Sequence, residues 1–296
     1  MATVNAVLYC GGRPVFADIV GLDKPSIDPA EVERLITPRT RAVMAVHFGG
    51  YPAAVDVLAE LCRARGLALI EDAAHAPEAQ LGTRKLGTFG LAGAFSLFSN
   101  KVLSVGEGGV LATDDDELAA RVRSLRSHAM TSVTWDRHLG HADSYDVIDI
   151  GFNYRIDEPR DVLALCRLPR LGAEVQRRRE LTLAYRERLG ELSGLILPFD
   201  QDDVPRSSCY VMPVMLREPE RRAQLRSALR QEHGVQTSIL YPAVHEFSAY
   251  RQRFPDLSLP RTEQAARSEI TIPLYAHMTV SEQDRVIRAI EDVLAT

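Results

Sequence analysis

Two side chains in this sequence are placed where they could do covalent or acid–base chemistry. Lys101 lies in FSLFSNKVLSVGEGG (95–109), just past an apolar run and just before a glycine-rich turn, with Phe98, Val102 and Leu103 around it. Desolvation in such surroundings lowers the pKa of an amine and makes it a better nucleophile, which suits a Schiff-base lysine. Most lysines are solvated surface groups, and that plainer reading stands beside it. Asp72 follows Glu71 directly after the apolar run 67–70, at the carboxyl end of an expected strand, where open α/β sheets bind ligands. An aspartate there is also a common helix N-cap or turn former. Gly106, Gly108 and Gly109 would admit positive φ angles. Neither G-K-S/T nor G-x-G-x-x-G accompanies them, so no nucleotide fingerprint is present.

The elements that must position these residues follow from hydrophobic patterning. Residues 14–19 (PVFADI) read as a strand, 29–36 as a helix, and 42–48 (AVMAVHF) as a buried strand without polar alternation. Val55, Leu58, Leu61 and Cys62 fall at helical spacing, Gly66 stands where a C-cap belongs, and 67–70 restarts a strand. Further strands are expected at 94–97 and 109–112, the second leading through Asp114, Asp115 and Asp116 into a helix that ends near His128. The polar stretch 128–149, which holds the single tryptophan Trp135, reads as a long loop. A basic helix is expected over 171–189 with the run RRRE, then a strand at 210–216 and a helix at 218–233. Thr279 and Glu282 form a capping-box pattern ahead of an apolar face made by Val286, Ile287, Ile290, Val293 and Leu294. This alternation predicts an α/β fold with a mostly parallel sheet in a large domain, 1–170, and a smaller α+β domain, 171–296.

Composition narrows the function classes. The 296 residues carry a net charge of -5, with 46% hydrophobic and 25% charged residues, so disorder and fibrous architectures fit poorly. No basic field favours nucleic acid or anionic lipid, and no run approaches the ~20 apolar residues of a membrane span. Cys10, Cys62, Cys166 and Cys209 are scattered without a C-x-x-C pair, so neither a metal site nor a disulfide framework is expected, and a reduced cytoplasmic setting fits.

The ordered strings EDAAHA (71–76), FSLFSNK with GEGG, LRSHAM (125–130) and GFNYR (151–155) give the chain its resemblance to a known family. They continue through QTSILYPAVHEFSAYR (236–251) and IPLYAHMT (272–279). In this order and spacing they resemble the DegT/DnrJ/EryC1/StrS family of pyridoxal-phosphate-dependent sugar aminotransferases, over nearly the whole chain. The resemblance implies a type I aminotransferase-like fold with pyridoxal 5'-phosphate as cofactor. It places Lys101 as the lysine that binds the cofactor covalently and then shuttles the proton, where the family's dehydratase branch has another residue. Asp72 takes the position of the carboxylate that keeps the pyridine nitrogen protonated. Ser96 matches the serine that binds the phosphate, and His75 the Gln or His beside the cofactor's ring hydroxyl. Asn153 matches the asparagine that reaches the phosphate in the neighbouring subunit, implying a homodimer with shared sites. Tyr154, Arg155, Tyr241 and His245 are the substrate-binding candidates.

Plainer roles remain open for each of these residues. They are a small strand serine, a satisfied core histidine, an Asn turn, an arginine capping a helix or paired with Asp157, and a conformational role for Tyr241-Pro242. The reaction implied is transfer of an amino group from glutamate or glutamine to a keto sugar, nucleotide-linked, in amino-sugar biosynthesis; an inosose or other cyclic ketone remains an alternative acceptor. Family members carry an N-terminal segment with a Gly-Thr turn for the phosphate and an aromatic stacked on the cofactor, and the chain is expected to start just past it. A catalytically silent or partner-dependent homologue, stabilising a complete one, is therefore the competing expectation. A nicotinamide oxidoreductase would lack its fingerprint.

Overall fold

The computed structural model describes residues 1–132, 138–140 and 144–295; Trp135 lies outside them. The central sheet has the order β1-β2-β5-β6, from β1 (Ala42–Val46), β2 (Ala68–Asp72), β5 (Ala92–Ser96) and β6 (Gly109–Ala112). A two-stranded hairpin of β3 (Gln80–Leu81) and β4 (Arg84–Lys85) stands apart from it. The first three strands of the sheet run parallel, with Val46 opposite Asp72 and Asp72 opposite Ala94, whereas β6 returns antiparallel with Gly109 opposite Ser96. Val46, Asp72 and Ser96 therefore finish their strands at one edge of the sheet.

The β1–β2 crossover is the helix Val55–Arg65, which ends at Gly66 in the left-handed region (φ 64°) as its position predicts. Val55, Leu58 and Cys62 bury its inner face against Val43, Ala45 and Leu69. The strand β2 runs further than the apolar run 67–70 and takes in Glu71 and Asp72. Glu71 is fully buried and accepts hydrogen bonds from His47 Nε2 (3.0 Å) and the amides of Gly87 (2.7 Å), Phe89 (2.5 Å) and Gly90 (2.8 Å). His47 Nδ1 in turn accepts from the Ala53 amide, so its ring proton sits on Nε2 and is donated to the carboxylate.

Several expected elements are corrected. Residues 14–19 form no strand; only Ile19 pairs, with Ile27. Asp18 instead accepts from the amides of Arg261 and Thr262, capping the distant helix Pro260–Ser268, whose own N-cap Leu259 offers no side-chain bond. The first strand stops at Val46, and 48–50 form a 3-10 turn. The helix after Asp115 ends at Leu125 rather than near His128, and the strand expected from 210 begins at Met212. The stretch 218–233 divides into a 3-10 turn, Pro219–Arg221, and the helix Arg222–Gln231. Helices also form at Ala2–Tyr9 and Glu158–Arg167, where none was expected.

The C-terminal layer is an antiparallel three-stranded sheet of β7 (Leu195–Ile196), β8 (Met212–Leu216) and β9 (Glu269–Ile272). The final helix, Val280–Leu294, begins with the expected Thr279–Glu282 capping box and buries Val286, Ile287 and Ile290 in this layer's core. The helix Leu171–Leu189 spans two clusters. Its start packs Leu171 and Val175 against Val102 and Tyr210, and its end packs Leu181, Tyr185 and Leu189 into the C-terminal core. The RRR run on this helix is not a solvated face. Arg177 donates to Met278 O, Arg178 to the carbonyls of Cys209, Tyr210 and Leu274, and Arg179 to those of Ser207 and Glu78. Among the described residues no helix is long and apolar enough to cross a membrane.

Candidate active site

Lys101 sits at the tip of a loop that folds back on itself between β5 and β6. Gly106 (φ 99°) and Gly108 (φ 153°) take backbone conformations that side chains rarely adopt. Leu97 donates to Gly108 O (2.9 Å), and Val105 to Leu97 O (2.9 Å). Val102, buried against Leu171, Val175 and Tyr210, anchors the tip. The Lys101 ammonium consequently lies 4.5 Å from the centroid of the Tyr210 ring. Burial pulls its pKa down, and the nearby Asp72 carboxylate works in the opposite direction.

Asp72 closes β2. Its Oδ1 accepts from the Ala74 amide (3.2 Å), an Asx-type turn, and its Oδ2 accepts from the Thr3 hydroxyl (2.7 Å) on the helix Ala2–Tyr9. The turn-forming role and placement at the site thus coexist in one residue. His75, in the turn that follows, stacks on Tyr210 (4.3 Å, 27°), and its Nε2 lies 3.3 Å from the Tyr241 hydroxyl. Burial, helped by the charge of Lys101, pushes the imidazole pKa down to about 3, so the ring is neutral at physiological pH. Its Nδ1 is buried and has no hydrogen-bond partner among the described residues.

Two close backbone approaches bring these pieces together. Gly50 (φ 89°) packs where a Cβ would stand 2.7 Å from His75 O and 2.9 Å from Ser208 Cβ, so glycine alone lets 208–210 run beside this turn. The Ser208 and Tyr210 amides donate there to Gly50 O and Gly49 O (3.1 and 3.0 Å). Gly151 likewise lies against His128 and Ala129, where a Cβ would meet backbone at 2.5 Å. GFNYR therefore pairs with LRSHAM: His128 donates to Phe152 O, Tyr154 to Arg126 O, and Ser127 pairs with Asn153.

The expected site residues separate into groups. Lys101, Asp72, His75 and Tyr241 come together. Ser96 ends β5 and its Oγ accepts from the Phe98 amide (3.3 Å), leaving its own proton to donate elsewhere. Asn153 and Tyr154 lie on the exposed GFNYR strip, Tyr154 stacked on Phe152 (4.9 Å). Arg155 donates to Ser127 Oγ (3.3 Å); Asp157, one of the alternative partners left open for it, caps the helix Glu158–Arg167 and pairs with Arg160. His245, the remaining substrate-binding candidate, is buried, and its Nε2 shares a hydrogen bond with Glu263 (3.1 Å). Sequence reasoning missed Thr3 and Tyr210. Tyr210 carried a weak signal as an aromatic just ahead of an apolar strand, whereas nothing in the spacing of Thr3 relates it to Asp72.

A pyridine aldehyde phosphate needs an amine, a carboxylate facing its ring nitrogen, a polar partner for its ring hydroxyl and donors for its phosphate. Lys101, Asp72 and Ser96 offer three of these, and the orphaned Nδ1 of His75 fits the fourth, since a buried polar atom without a partner is otherwise costly. The residues present fit this cofactor.

Comparison with known proteins agrees with this chemistry. Residues 1–291 match the DegT/DnrJ/EryC1/StrS aminotransferase family. The spore coat polysaccharide biosynthesis protein SpsC of Bacillus subtilis (strain 168) is 33% identical over 299 residues, covering 99% of this chain and 76% of SpsC. The structure of S. venezuelae DesV in complex with a ketimine intermediate superposes with a TM-score of 0.89 at 34% identity, covering 100% of this chain and 76% of that one. DesI, solved in the presence of its TDP-sugar product, gives 0.84 at 30% identity, with 99% and 71% covered. The chain belongs to the DegT/DnrJ/EryC1/StrS family of aminotransferases, enzymes that depend on pyridoxal 5'-phosphate.

Proposed function

We propose that the chain transfers an amino group from an amino acid donor, glutamate or glutamine, to a nucleotide-linked keto sugar, as a homodimer whose two sites each use residues of both subunits. The observation that carries this reading is the convergence of Lys101, Asp72 and His75, the last with a buried ring nitrogen left to a further partner. DesI, a similar protein, is described with a TDP-sugar product, which favours a nucleotide-linked acceptor.

Bound pyridoxal phosphate supplies an electron sink for the carbanion left when a substrate carbon loses its proton. Every other part of the reaction falls to the chain. Asp72, held by Thr3 and the Ala74 amide, presents a carboxylate of fixed orientation to the ring nitrogen. The amine of Lys101, its pKa lowered by burial, is the group that accepts and returns a proton at Nζ. His75 stays neutral and offers Nδ1 to the ring hydroxyl. Ser96 Oγ donates to the phosphate, joined by Asn153 of a second copy.

The shared site rests on exposure around Asn153. Ile148, Ile150, Phe152 and Tyr154 are all exposed, Ile150 by 90%, an apolar strip of the kind that a partner covers. Tyr154 and Arg155 on this strip, with Tyr241, are the proposed contacts to donor and acceptor, and residues 171–296 act as the smaller domain over the site.

The test is the absorption spectrum of the chain with pyridoxal phosphate before and after borohydride, with peptide mapping of the reduced protein. The expected result is a cofactor band fixed by reduction at Lys101 and lost in Lys101→Ala. Fixation elsewhere, or an unchanged band in Lys101→Ala, removes the assignment.

A further inference from the structure

Tyr241 reaches His75 from a stretch without regular secondary structure, so something must hold that stretch in place. Ser238 is held by the backbone of β9, exchanging two hydrogen bonds with Thr271 (3.0 and 2.9 Å). Two residues on, the chain has left the strand, and the Leu240 amide is met instead by a side chain: Glu269 Oε2 accepts from it at 2.7 Å. The next residue is Tyr241, whose hydroxyl lies 3.3 Å from His75 Nε2.

Glu269 is an unusual residue for its place. It opens β9, a strand whose four residues are all buried, and is itself only 2% exposed. An apolar side chain would suit that position, because a buried carboxylate without compensation is costly. Among the described residues Glu269 forms no ion pair within 4.0 Å. Its compensation is the Leu240 amide on one oxygen, the Thr271 hydroxyl on the other, and the field of two arginines on the helix Arg222–Gln231. Those arginines spend their own donors elsewhere, Arg222 on Ala266 O and Arg226 on Thr237. Among the described residues, the one hydrogen bond that the Glu269 side chain makes outside its own strand is therefore with the backbone that presents Tyr241.

We propose that Glu269 is a positioning residue of the catalytic site, holding Tyr241 against His75 through the Leu240 amide. The proposal rests on the reading of Lys101, Asp72 and His75 as the cofactor site. The charged and titratable groups that face Glu269 are Arg222 and Arg226 from one helix and Tyr241 from the loop. Burial drives the carboxyl up to about 7 despite the donors and the arginines, so its charge changes within an accessible range.

The first measurements need no cofactor. In 15N-leucine-labelled protein the Leu240 amide resonance, assigned through Leu240→Met, is expected to titrate with a midpoint of about 7 and to lose that titration in Glu269→Gln. In 15N-histidine-labelled protein Glu269→Ala is expected to move the ring nitrogens of His75 in the same direction as Tyr241→Phe, although Glu269 does not touch that ring. A Leu240 amide that responds neither to pH nor to Glu269→Gln, or a His75 ring indifferent to Glu269→Ala, overturns the proposal.

Pyridoxal phosphate affinity then closes a double-mutant cycle. Glu269→Ala and Tyr241→Phe should each weaken it by about tenfold, with the double variant no worse than the weaker single, while Glu269→Gln, which keeps an acceptor for Leu240, stays near the parent. Losses that multiply make the two residues independent and overturn the proposal. If the parent protein binds no cofactor, the cofactor reading falls, and the two resonance measurements still decide the role of Glu269.

Discussion

The hydroxyl of Tyr241 lies 3.3 Å from Nε2 of His75 across a sequence separation of 166 residues, and the same imidazole stacks on Tyr210 at 4.3 Å. Two aromatic residues from the C-terminal half thus enclose a histidine that follows the β2 carboxylate. The enclosure removes water from the ring and keeps it neutral.

A buried neutral histidine makes the protein sensitive to acid. With the folded pKa at about 3 and the ordinary value at 6.5, the unfolded chain binds a proton in that window that the folded chain refuses. Stability therefore falls as pH drops below 6.5, by about 2 kcal/mol at pH 5 from this group. In His75→Gln the difference in urea-unfolding free energy between about pH 7.5 and pH 5 should narrow by roughly that amount. A difference as wide as the parent's would show that the ring is not the buried neutral group described.

Glu71 accepts from three backbone amides and His47 while fully buried. Burial by itself would raise its pKa, but the hydrogen bonds from His47, Gly87 and Gly90 carry it below the usual value. Glu71→Ala strands all four donors and should cost about 3 to 5 kcal/mol by chemical denaturation, with Glu71→Gln costing less because one acceptor survives. Equal, small losses in both variants would remove the carboxylate from its place as anchor of the 87–90 turn.

If the strip around Asn153 is a subunit interface, a charge at its most exposed apolar residue should open it. Ile150→Asp is expected to shift the protein from dimer to monomer in sedimentation velocity, with little change in secondary structure. Sedimentation as a dimer in both variant and parent would place the interface elsewhere.

Much of the frame was legible in the sequence because it rests on short-range regularities. The spacing of Val55, Leu58 and Cys62 and the glycine at 66 describe a helix and its end, bonded within a few residues. The same holds for the capping box of Thr279 and Glu282 and for the helix 171–189. Lys101 and Asp72 were visible for a related reason: each stands beside an apolar run, and apolar runs become strands whose ends line one edge of the sheet. The motif strings carried Ser96, His75 and Asn153 only through resemblance.

What eluded pattern reading were contacts between distant segments. Residues 14–19 have the composition of a strand, yet Asp18 is used to cap a helix more than 240 residues away. His245 sits in a stretch that suggested the site mouth, and its hydrogen bond runs to Glu263, 18 residues on. Thr3 on Asp72, the arginines of 177–179 on scattered carbonyls, and Glu269 on Leu240 leave no local trace either. The reason is physical. Backbone hydrogen bonding and amphipathic periodicity are satisfied within one element and so are written in adjacent residues. A buried polar atom takes whichever donor or acceptor packing brings within about 3 Å, and only the assembled tertiary structure decides which that is.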